Sequence, residues 1–363
     1  PGLTVNLVQR EGGSALSGRL EGSITDYGEY RADGYVSGPL GPDTGFMAGG
    51  FYRQGTGVRD PQFDAEKGGQ FTANVSHYFG NTGKILIYAR YQNDRGQWLL
   101  PVPIIQNGSD ISGFPGFDPN YGTLASNDVR FTNLNSGAQV DLARGRGAKV
   151  VNVGANLEFD LSDSVKLRER LGFLGGKAFT VGLVPAGPPT ALSNFVTSRG
   201  GAGATIGSAT FVNGGAAVLP SQQVIQAGIW TVDKKIDSFV NDLGIDFRTE
   251  RNTLTAGFYF ADYFARDTWN LGNGLLLTAE DNARRINLVY GDGRRATRDG
   301  FVQGSFFNLN AGYTGTDYAF YAVDEFQITD QLRIDGGVRW QKHKINGSVR
   351  FPRSVDLDGN PNT

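Results

Sequence analysis

Few residues of this chain have the type and spacing that enzyme chemistry requires. Cysteine is absent, and the two histidines, His77 and His343, are far apart in stretches that alternate like strands. Neither a Gly-x-Ser-x-Gly nucleophile elbow nor a Walker A loop occurs. We therefore expect both histidines to be structural or lumen-facing, and the sequence predicts no catalytic residue, no metal site and no cofactor. The chain is interpreted as not being an enzyme.

Three short motifs resemble ligand loops but lack a required part. Gly201-Ala202-Gly203, followed by Gly207, misses the dinucleotide-binding spacing by one residue. The stretch 356–360 begins like a calcium loop without the later acidic ligand, which favours a plain turn. The stretch 144–147 alternates arginine and glycine, but an isolated pair of arginines favours a solvated or lipid-headgroup position. A net charge of −2 also argues against a general nucleic-acid binder.

Aromatic and arginine side chains recur in three long glycine- and asparagine-rich segments, at about 95–149, 175–235 and 266–316. Such side chains anchor recognition surfaces, because they give contact area at modest entropic cost and arginine offers a fork for carboxylate or phosphate groups. The alternative for each residue is that it packs loop against loop or contacts lipopolysaccharide. The candidate ligand-binding residues are Arg95, Trp98, Phe114, Phe117, Tyr121, Trp230, Trp269, Arg284 and Arg285.

The segments between these long loops have the period of β-strands. Residues 151–161 place Val151 and Val153 on one face and Glu158 on the other, and residues 332–341 repeat the pattern. Eleven strands are predicted, at about 17–26, 29–38, 45–54, 69–79, 84–94, 150–161, 165–174, 236–248, 252–265, 317–328 and 331–347.

The links between these strands are alternately very short and, for the most part, very long. The short ones include 38–45, 80–84, 162–165, 248–253 and 329–331. This alternation favours an all-β fold, a transmembrane antiparallel β-barrel with one end in a confined space and the other outside. Charged residues on the polar face fit a hydrated lumen. The alternative, a β-sandwich with one wet face, has the same period but rarely such unequal links.

Composition agrees with this interpretation. The 363 residues include 53 glycines and 12% aromatic residues, without the triplet period of collagen. No apolar run approaches the eighteen or so residues that a membrane helix needs, whereas a barrel strand is apolar only at every second position. The chain opens on Pro-Gly-Leu-Thr-Val, which is not a signal peptide, so we expect the natural start to lie upstream.

Several stretches resemble the TonB-dependent outer-membrane receptors. Residues 5–10 followed by Gly12-Gly13 are similar to the strand that leads out of the plug domain into barrel strand one. Further similar stretches, in the family's order, are 18–23, 26–28 and 30–41 for the first hairpin, 50–53, 57–61 and 67–70 for the third and fourth strands, and 324–333 with 337–340 for a later hairpin. Because the family's barrel has twenty-two strands, the resemblance implies that 1–14 end the plug and 15–363 form the N-terminal half of the barrel.

The resemblance also implies a function. The expectation is an outer-membrane receptor that works with the TonB complex and imports a scarce ligand such as a ferric siderophore, haem, cobalamin or a glycan. Outer-membrane lipid and lipopolysaccharide are expected as surroundings. The alternatives are a passive outer-membrane porin and a soluble all-β binding module or enzyme.

Overall fold

The computed structural model describes residues 8–134 and 137–350, which form one large antiparallel sheet with additional short strands. Eleven strands cross the sheet in chain order, each paired with the next, which confirms the predicted number and order of strands. They are β1 (Ser17–Ile24), β2 (Tyr30–Gly41), β3 (Thr44–Gly55), β4 (Glu66–Phe79), β5 (Gly83–Gly96), β6 (Arg146–Ser162), β7 (Val165–Pro185), β8 (Gln223–Arg248), β9 (Asn252–Gly272), β10 (Ser305–Thr329) and β11 (Leu332–Arg350).

The sheet has one apolar and one polar face, as the alternation predicts. On β6, Val151 and Val153 are exposed on the apolar face, and they pair across to Tyr91 and Ala89 of β5. The residues between them in sequence point to the other face, because side chains alternate along a strand. We call the two surfaces the apolar face and the polar face.

The two ends of the sheet differ, which confirms the short and long links. At the turn end, β2–β3, β4–β5, β6–β7, β8–β9 and β10–β11 are joined by very short turns. At the loop end, the long links are 97–145, 186–222 and 273–304. These links are shorter than predicted, because β7, β8, β9 and β10 continue well past the alternating core and keep pairing with each other.

The three long links are folded, and we call their described residues the loop cap. Its strands and helices are Ile104–Asn107, Asp110–Gly113, α1 (Asn127–Arg130), Phe131–Asn133, Gln139–Asp141, a 3-10 turn Leu142–Arg144, Thr190–Ala191, α2 (Leu192–Gly200), Ile206–Phe211, Gly274–Thr278 and Ile286–Tyr290. Gly274–Thr278 and Thr190–Ala191 pair with the outer part of β8. The cap is therefore continuous with the wall of the sheet.

Two hydrophobic cores hold the loop cap together, one on each side of Gly274–Thr278. Leu275 and Leu277 pack into the first core, with Phe117, Val129 and residues of β7 and β8. Leu276 packs into the second, with Leu192 of α2. All three leucines are 0% exposed, so both faces of this short strand are covered.

Within the described part of the chain, neither helix has the length and apolarity needed to cross a membrane.

The sheet does not close on itself in the described residues. β1 pairs only with β2 and β11 only with β10, so each leaves one backbone edge without a partner strand. An open set of eleven antiparallel strands is the arrangement expected of a partial barrel.

Candidate ligand-recognition site

The polar face near the loop end is organised around Arg53 of β3. Its Nε lies 3.1 Å from Asp94 Oδ1 of β5, and its Nη1 pairs with Glu66 of β4 and, at 3.5 Å, with Glu29. Strong charge-assisted hydrogen bonds of this kind fix the relative positions of three neighbouring strands and the β1–β2 link. The polar wall below the cap is therefore preorganised.

A second polar network lies nearer the turn end, around Asp246 of β8, whose side chain is 6% exposed. Asp246 accepts hydrogen bonds from Arg168 Nη2 at 2.6 Å and from Thr255 Oγ1 at 2.8 Å. On the same face, the Tyr321 hydroxyl donates to Asp242 Oδ1 at 2.9 Å. Charged groups that satisfy each other in this way are typical of the wall of a hydrated lumen.

The first described residues lie against the polar face at the turn end. Asn74 Nδ2 donates to the backbone oxygen of Arg10 at 2.9 Å, and Lys84 Nζ lies 2.6 Å from Glu11 Oε2. A Cβ on Gly12 would collide with the backbone of Gly38 on β2. The chain thus enters β1 from the polar side. Residues 5–7 of the similar stretch and the turn predicted at 356–360 lie outside the described residues.

Three of the nine predicted ligand-binding residues lie on strands, so their placement in long loops is wrong. Arg95 is in β5, Trp230 in β8 and Trp269 in β9. Arg95 belongs to the apolar face, because it alternates in phase with the exposed Tyr91. The Trp269 ring lies 6.3 Å from the Phe307 ring, in edge contact. These residues lie on strands because β5, β8 and β9 extend further toward the loop end than the alternating pattern predicted.

Three further predicted residues pack within the loop cap. Phe117 is 4% exposed in the first core, and Phe114 packs against that core. Trp98 lines a small apolar cavity of about 50 Å³ with Leu100 and Val181, and its ring lies against Gly182 of β7. Their contacts agree with the alternative expectation for these residues, that they pack loop against loop.

The two predicted arginines of the last long link also make contacts within the protein. Arg284 places its guanidinium carbon 3.6 Å from the ring centroid of Phe211, and its Nη2 donates to the backbone oxygen of Asn213 at 3.0 Å. The backbone N–H of Arg285 donates to Asp128 Oδ2 at 2.7 Å, and its Nε lies 3.4 Å from the same oxygen. Both arginines therefore join separate links of the cap.

Tyr121 is the predicted residue that lines an open cleft at the loop end. The cleft has a volume of about 380 Å³ and is formed where the β1–β2 and β3–β4 links meet two parts of the loop cap. We call it the four-link cleft; its wall includes Asp26, Tyr27, Thr56, Asp60, Tyr121, Asp281 and Asn282.

The four-link cleft is held open by hydrogen bonds between distant parts of the chain. Asn282 Nδ2 donates to the backbone oxygens of Asp60 at 2.9 Å and of Ala125 at 3.1 Å. The backbone N–H of Asp118 donates to Asp281 Oδ2 at 3.1 Å. Burial raises the pKa of Asp281, and this N–H partly offsets the rise.

The carboxylates and phenol hydroxyls around the cleft can form hydrogen bonds with a polar ligand, and the tyrosine rings can stack on its flat parts. Among the described residues, no group of three or more His, Asp or Glu side chains is placed to hold a metal ion. The acidic residues of the cleft are not predictable from the sequence, because single aspartates in separate links carry no spacing pattern. The tyrosine in a glycine-rich link, Tyr121, was the available indication.

The arrangement of strands has counterparts among solved structures. The ferripyoverdine receptor of the outer membrane of Pseudomonas aeruginosa is similar at TM-score 0.57 and 16% identity, over 96% of this chain and 40% of that one. The ferric preacinetobactin receptor BauA from Acinetobacter baumannii is similar at TM-score 0.55 and 13% identity, over 94% and 43%. The ferric-catecholate import receptor Fiu of Escherichia coli K12 is similar at TM-score 0.54 and 13% identity, over 98% and 45%.

These structures define the class of fold. The chain has the fold of part of these receptors, an antiparallel β-barrel, as the resemblance implied. The chain spans between 40% and 45% of the length of the three solved receptors. No family model matches the sequence, and no curated protein matches it.

Proposed function

We propose that this chain is the end of the plug and the N-terminal half of the barrel of a TonB-dependent outer-membrane receptor that imports a ferric siderophore. The observation that carries the proposal is the joint arrangement of three features. Eleven strands in chain order have an apolar outer wall, a polar inner wall with satisfied charges, and a folded cap at the end with the long links. A passive channel does not require a folded cap with two hydrophobic cores over its opening.

In this proposal each part of the chain has a place in uptake. The four-link cleft and the neighbouring surface of the cap meet the ligand from outside. The polar face guides it inward along a hydrated wall, and the segment at residues 8–14 connects β1 to the plug, on which the TonB complex acts. The chain's own residues bind and orient the ligand, and no covalent step is required of them.

The proposed ligand class rests on two supports. The similar solved receptors are described as receptors for ferripyoverdine, ferric preacinetobactin and ferric catecholates. Ferric siderophores carry amide, hydroxyl and aromatic groups, which suit a cleft lined by Tyr27, Tyr121 and carboxylates.

Uptake of radioactive iron tests the proposal. The complete gene product is expressed in an iron-starved Gram-negative host that lacks its own siderophore receptors, with and without TonB, and is supplied with a panel of iron-55 siderophores. Saturable uptake that disappears without TonB is expected. Uptake that is independent of TonB, together with steady conductance of the purified protein in planar bilayers, would instead identify the passive porin.

Within this assay, Tyr121→Ala and Asp281→Asn report on the four-link cleft. We expect both variants to raise the concentration of siderophore needed for half-maximal uptake while the barrel still folds. Phe131→Ala is the matched control, because Phe131 is an exposed aromatic residue of the same cap away from the cleft. Equal behaviour of all three variants would place recognition outside the cleft.

A further inference from the structure

Two polar side chains interrupt the apolar face of the sheet on the neighbouring strands β7 and β8. Glu169 of β7 is paired with Leu157 of β6 and Leu243 of β8, which both lie on the apolar face. Asn241 of β8 is paired with Leu171 of β7, which is exposed on the same face. Because side chains alternate along each strand, Glu169 and Asn241 point to the side of these leucines. We call them the outward polar pair.

The outward polar pair lies deep within the apolar band of the sheet. Glu169 is 4 residues from the start of β7 at Val165, and Asn241 is 7 residues from the end of β8 at Arg248. At about 3.3 Å per residue and a strand tilt of about 40°, these positions stand roughly 10 and 18 Å above the turn end. Since the outward apolar band of an outer-membrane barrel is about 25 Å tall, the pair lies near its middle.

The outward residues around the pair are apolar. Those nearest to it are Leu157, Leu167, Leu171, Leu243, Phe258 and Phe260. Polar and ionisable groups that face hydrocarbon are costly, because no water is available there for hydrogen bonds. A polar pair at this depth therefore needs a hydrogen-bonding partner from outside the chain.

The outward polar pair uses only part of its own hydrogen-bonding capacity. The side-chain amide of Asn241 donates one hydrogen bond to Glu169 Oε1. Within the described part of the chain, Asn241 Oδ1 and Glu169 Oε2 accept no hydrogen bond, and the amide has a second N–H group. The unused donor and the unused carboxyl oxygen are complementary to each other. A second copy of the same surface, rotated by half a turn, supplies what each lacks.

The surfaces on the two sides of the pair also complement each other in shape. On the β6 side lies an apolar hollow of about 650 Å³, with the small residues Ala89 and Ala155 in its lining. On the β9 side, Phe258 and Phe260 form a bulky aromatic surface, and the Phe260 ring lies 6.3 Å from the Phe239 ring.

The hollow and the aromatic surface lie at the same height. Ala155 is 7 residues from the turn end of β6 at Ser162, and Phe260 is 8 residues from the turn end of β9 at Asn252. Rotation by half a turn about the membrane normal, through the outward polar pair, brings the aromatic surface of one copy opposite the hollow of the other. A surface that matches itself in this way is the requirement for a two-fold contact.

We propose that the outward polar pair is the centre of a two-fold contact between two copies of the receptor, side by side in the outer membrane. In this contact the second N–H group of Asn241 in each copy donates to Glu169 Oε2 of the other. The inference rests on the proposed outer-membrane placement but concerns neither the ligand nor the four-link cleft. A second copy is favoured over lipid, because acyl chains offer no hydrogen bond at this depth. It is favoured over a different protein, because the surface is complementary to itself.

Disulfide cross-linking in intact outer membranes locates the contact. Leu243, directly beside Glu169, is replaced by cysteine in a complete receptor without other cysteines, and this chain contains none. On oxidation Leu243→Cys should cross-link to its own copy and give a product of twice the mass, because residues near a two-fold axis meet themselves. Val338→Cys is the matched control, because Val338 is 69% exposed on the apolar face of β11, away from the pair, and should stay monomeric.

Energy transfer between labelled receptors in vesicles of increasing lipid content measures the strength of association. The variant Glu169→Leu/Asn241→Leu is compared with Asn252→Leu/Asp324→Leu, which removes a pair of the same chemistry at the turn end, where Asn252 Nδ2 lies 2.5 Å from Asp324 Oδ1. We expect the first variant to associate about tenfold more weakly, because two hydrogen bonds are lost and each contributes roughly threefold in a membrane. The turn-end variant should associate like the unsubstituted receptor.

The stability of the single barrel separates a contact between copies from a role within one copy. At high dilution in lipid, Glu169→Leu/Asn241→Leu should resist urea at least as well as the unsubstituted receptor, because leucine suits a lipid-facing position. A less stable monomer would show that the pair serves the fold of one copy and would overturn the proposal. Heat-modifiable migration on gels checks that both variants fold.

Three further outcomes would overturn the proposal. They are a receptor that stays monomeric at every lipid content, cross-linking of Leu243→Cys to a different protein, and equal association of the two leucine variants. Native mass spectrometry that finds a phospholipid on the unsubstituted monomer but not on Glu169→Leu/Asn241→Leu would assign the pair to lipid instead. Because association is read without transport, loss of iron uptake by a receptor that still pairs would overturn only the proposed function.

Discussion

Arg285 shows how an arginine in a long link is used by the fold itself. Its backbone N–H and its guanidinium both contact Asp128, which is 157 residues away in sequence, and its side chain is 12% exposed. Sequence spacing marks such an arginine as available for a ligand, because nothing nearby in sequence pairs with it. The partner is supplied by another link. At the residue scale, the sequence therefore predicts which residue types could bind a ligand, but not which of them are left unpaired by the rest of the protein.

Asp281 gives a pH-dependent prediction at this scale. Burial raises its pKa above the ordinary value of 3.8, so its ionised form costs stability at neutral pH. That cost disappears as the pH falls through the raised pKa, because the folded state then takes up the proton. At pH 7 we expect Asp281→Asn to resist proteolysis of the loop cap at least as well as the unsubstituted protein. On acidification the unsubstituted protein should become more resistant, whereas Asp281→Asn should not.

Asp292 is the control of opposite sign. Hydrogen bonds from the backbone and side chain of Arg294 lower the pKa of Asp292. Its contribution is therefore present above the ordinary pKa and is lost only as the pH falls through the lowered value. Asp292→Asn should shift resistance equally at pH 7 and pH 5. A parallel pH dependence in both variants would mean that Asp281 is not the group responsible.

At the scale of elements, β9 separates the two faces by single residues. Phe258 contacts Phe320 on the apolar face at a ring distance of 5.1 Å, whereas Tyr259 faces Asp242 across the β8–β9 ladder on the polar face. Gly257 also lies on the polar face, but the Tyr321 ring occupies the space where its side chain would be. A substitution at Gly257 therefore reports on crowding more than on polarity.

The faces can be tested with Phe258→Arg and Tyr259→Arg. An arginine facing lipid at mid-membrane costs about 2–4 kcal/mol, whereas one opposite Asp242 gains an ion pair. We expect Phe258→Arg to lower the free energy of unfolding in lipid by that amount and Tyr259→Arg to change it much less. Urea titration of the receptor refolded in vesicles measures both, and equal losses would reverse the assignment of faces.

Gly274–Thr278 is the element on which the loop cap depends. Leu277 is fully buried in the first core. Leu277→Ala should destabilise the cap by about 2–5 kcal/mol through lost burial and the cavity left behind. Limited proteolysis should then cut the cap while the barrel keeps its heat-modifiable migration. Leu219→Ala is the control, because Leu219 is exposed in the same cap, and equal cleavage of the two variants would contradict the double-core arrangement.

At the scale of the whole molecule, the open edges of β1 and β11 govern behaviour in lipid. Each unpaired backbone group costs several kcal/mol in the hydrocarbon region, so an open sheet cannot be stable there. We expect the chain expressed by itself to associate through its edges, and the complete receptor to refold as a monomer. Size-exclusion chromatography with light scattering in detergent decides, and a stable monomer of the isolated chain would contradict the open topology.

The fold was largely predictable because strands of a barrel repeat one local rule. Every second residue is apolar, turns are short at one end, and neighbours in sequence are neighbours in space, so β6 and β7 could be found without knowing any distant contact. The strand ends at the loop side were not predictable, because β8 continues beyond the alternating core and pairs with the short strand Gly274–Thr278. There the pairing partner, which lies far along the chain, decides the structure.

The sequence by itself determined the eleven strands, their order, their two faces and the end that carries the long links, since these follow from local periodicity. Only the tertiary structure decided how those links fold. It placed Phe117 in a core, Arg285 against Asp128, and Tyr121 in a cleft with carboxylates from other links. The physical reason is that contacts between distant segments depend on strand register. These contacts include burial and ion pairing, and no local sequence pattern encodes that register.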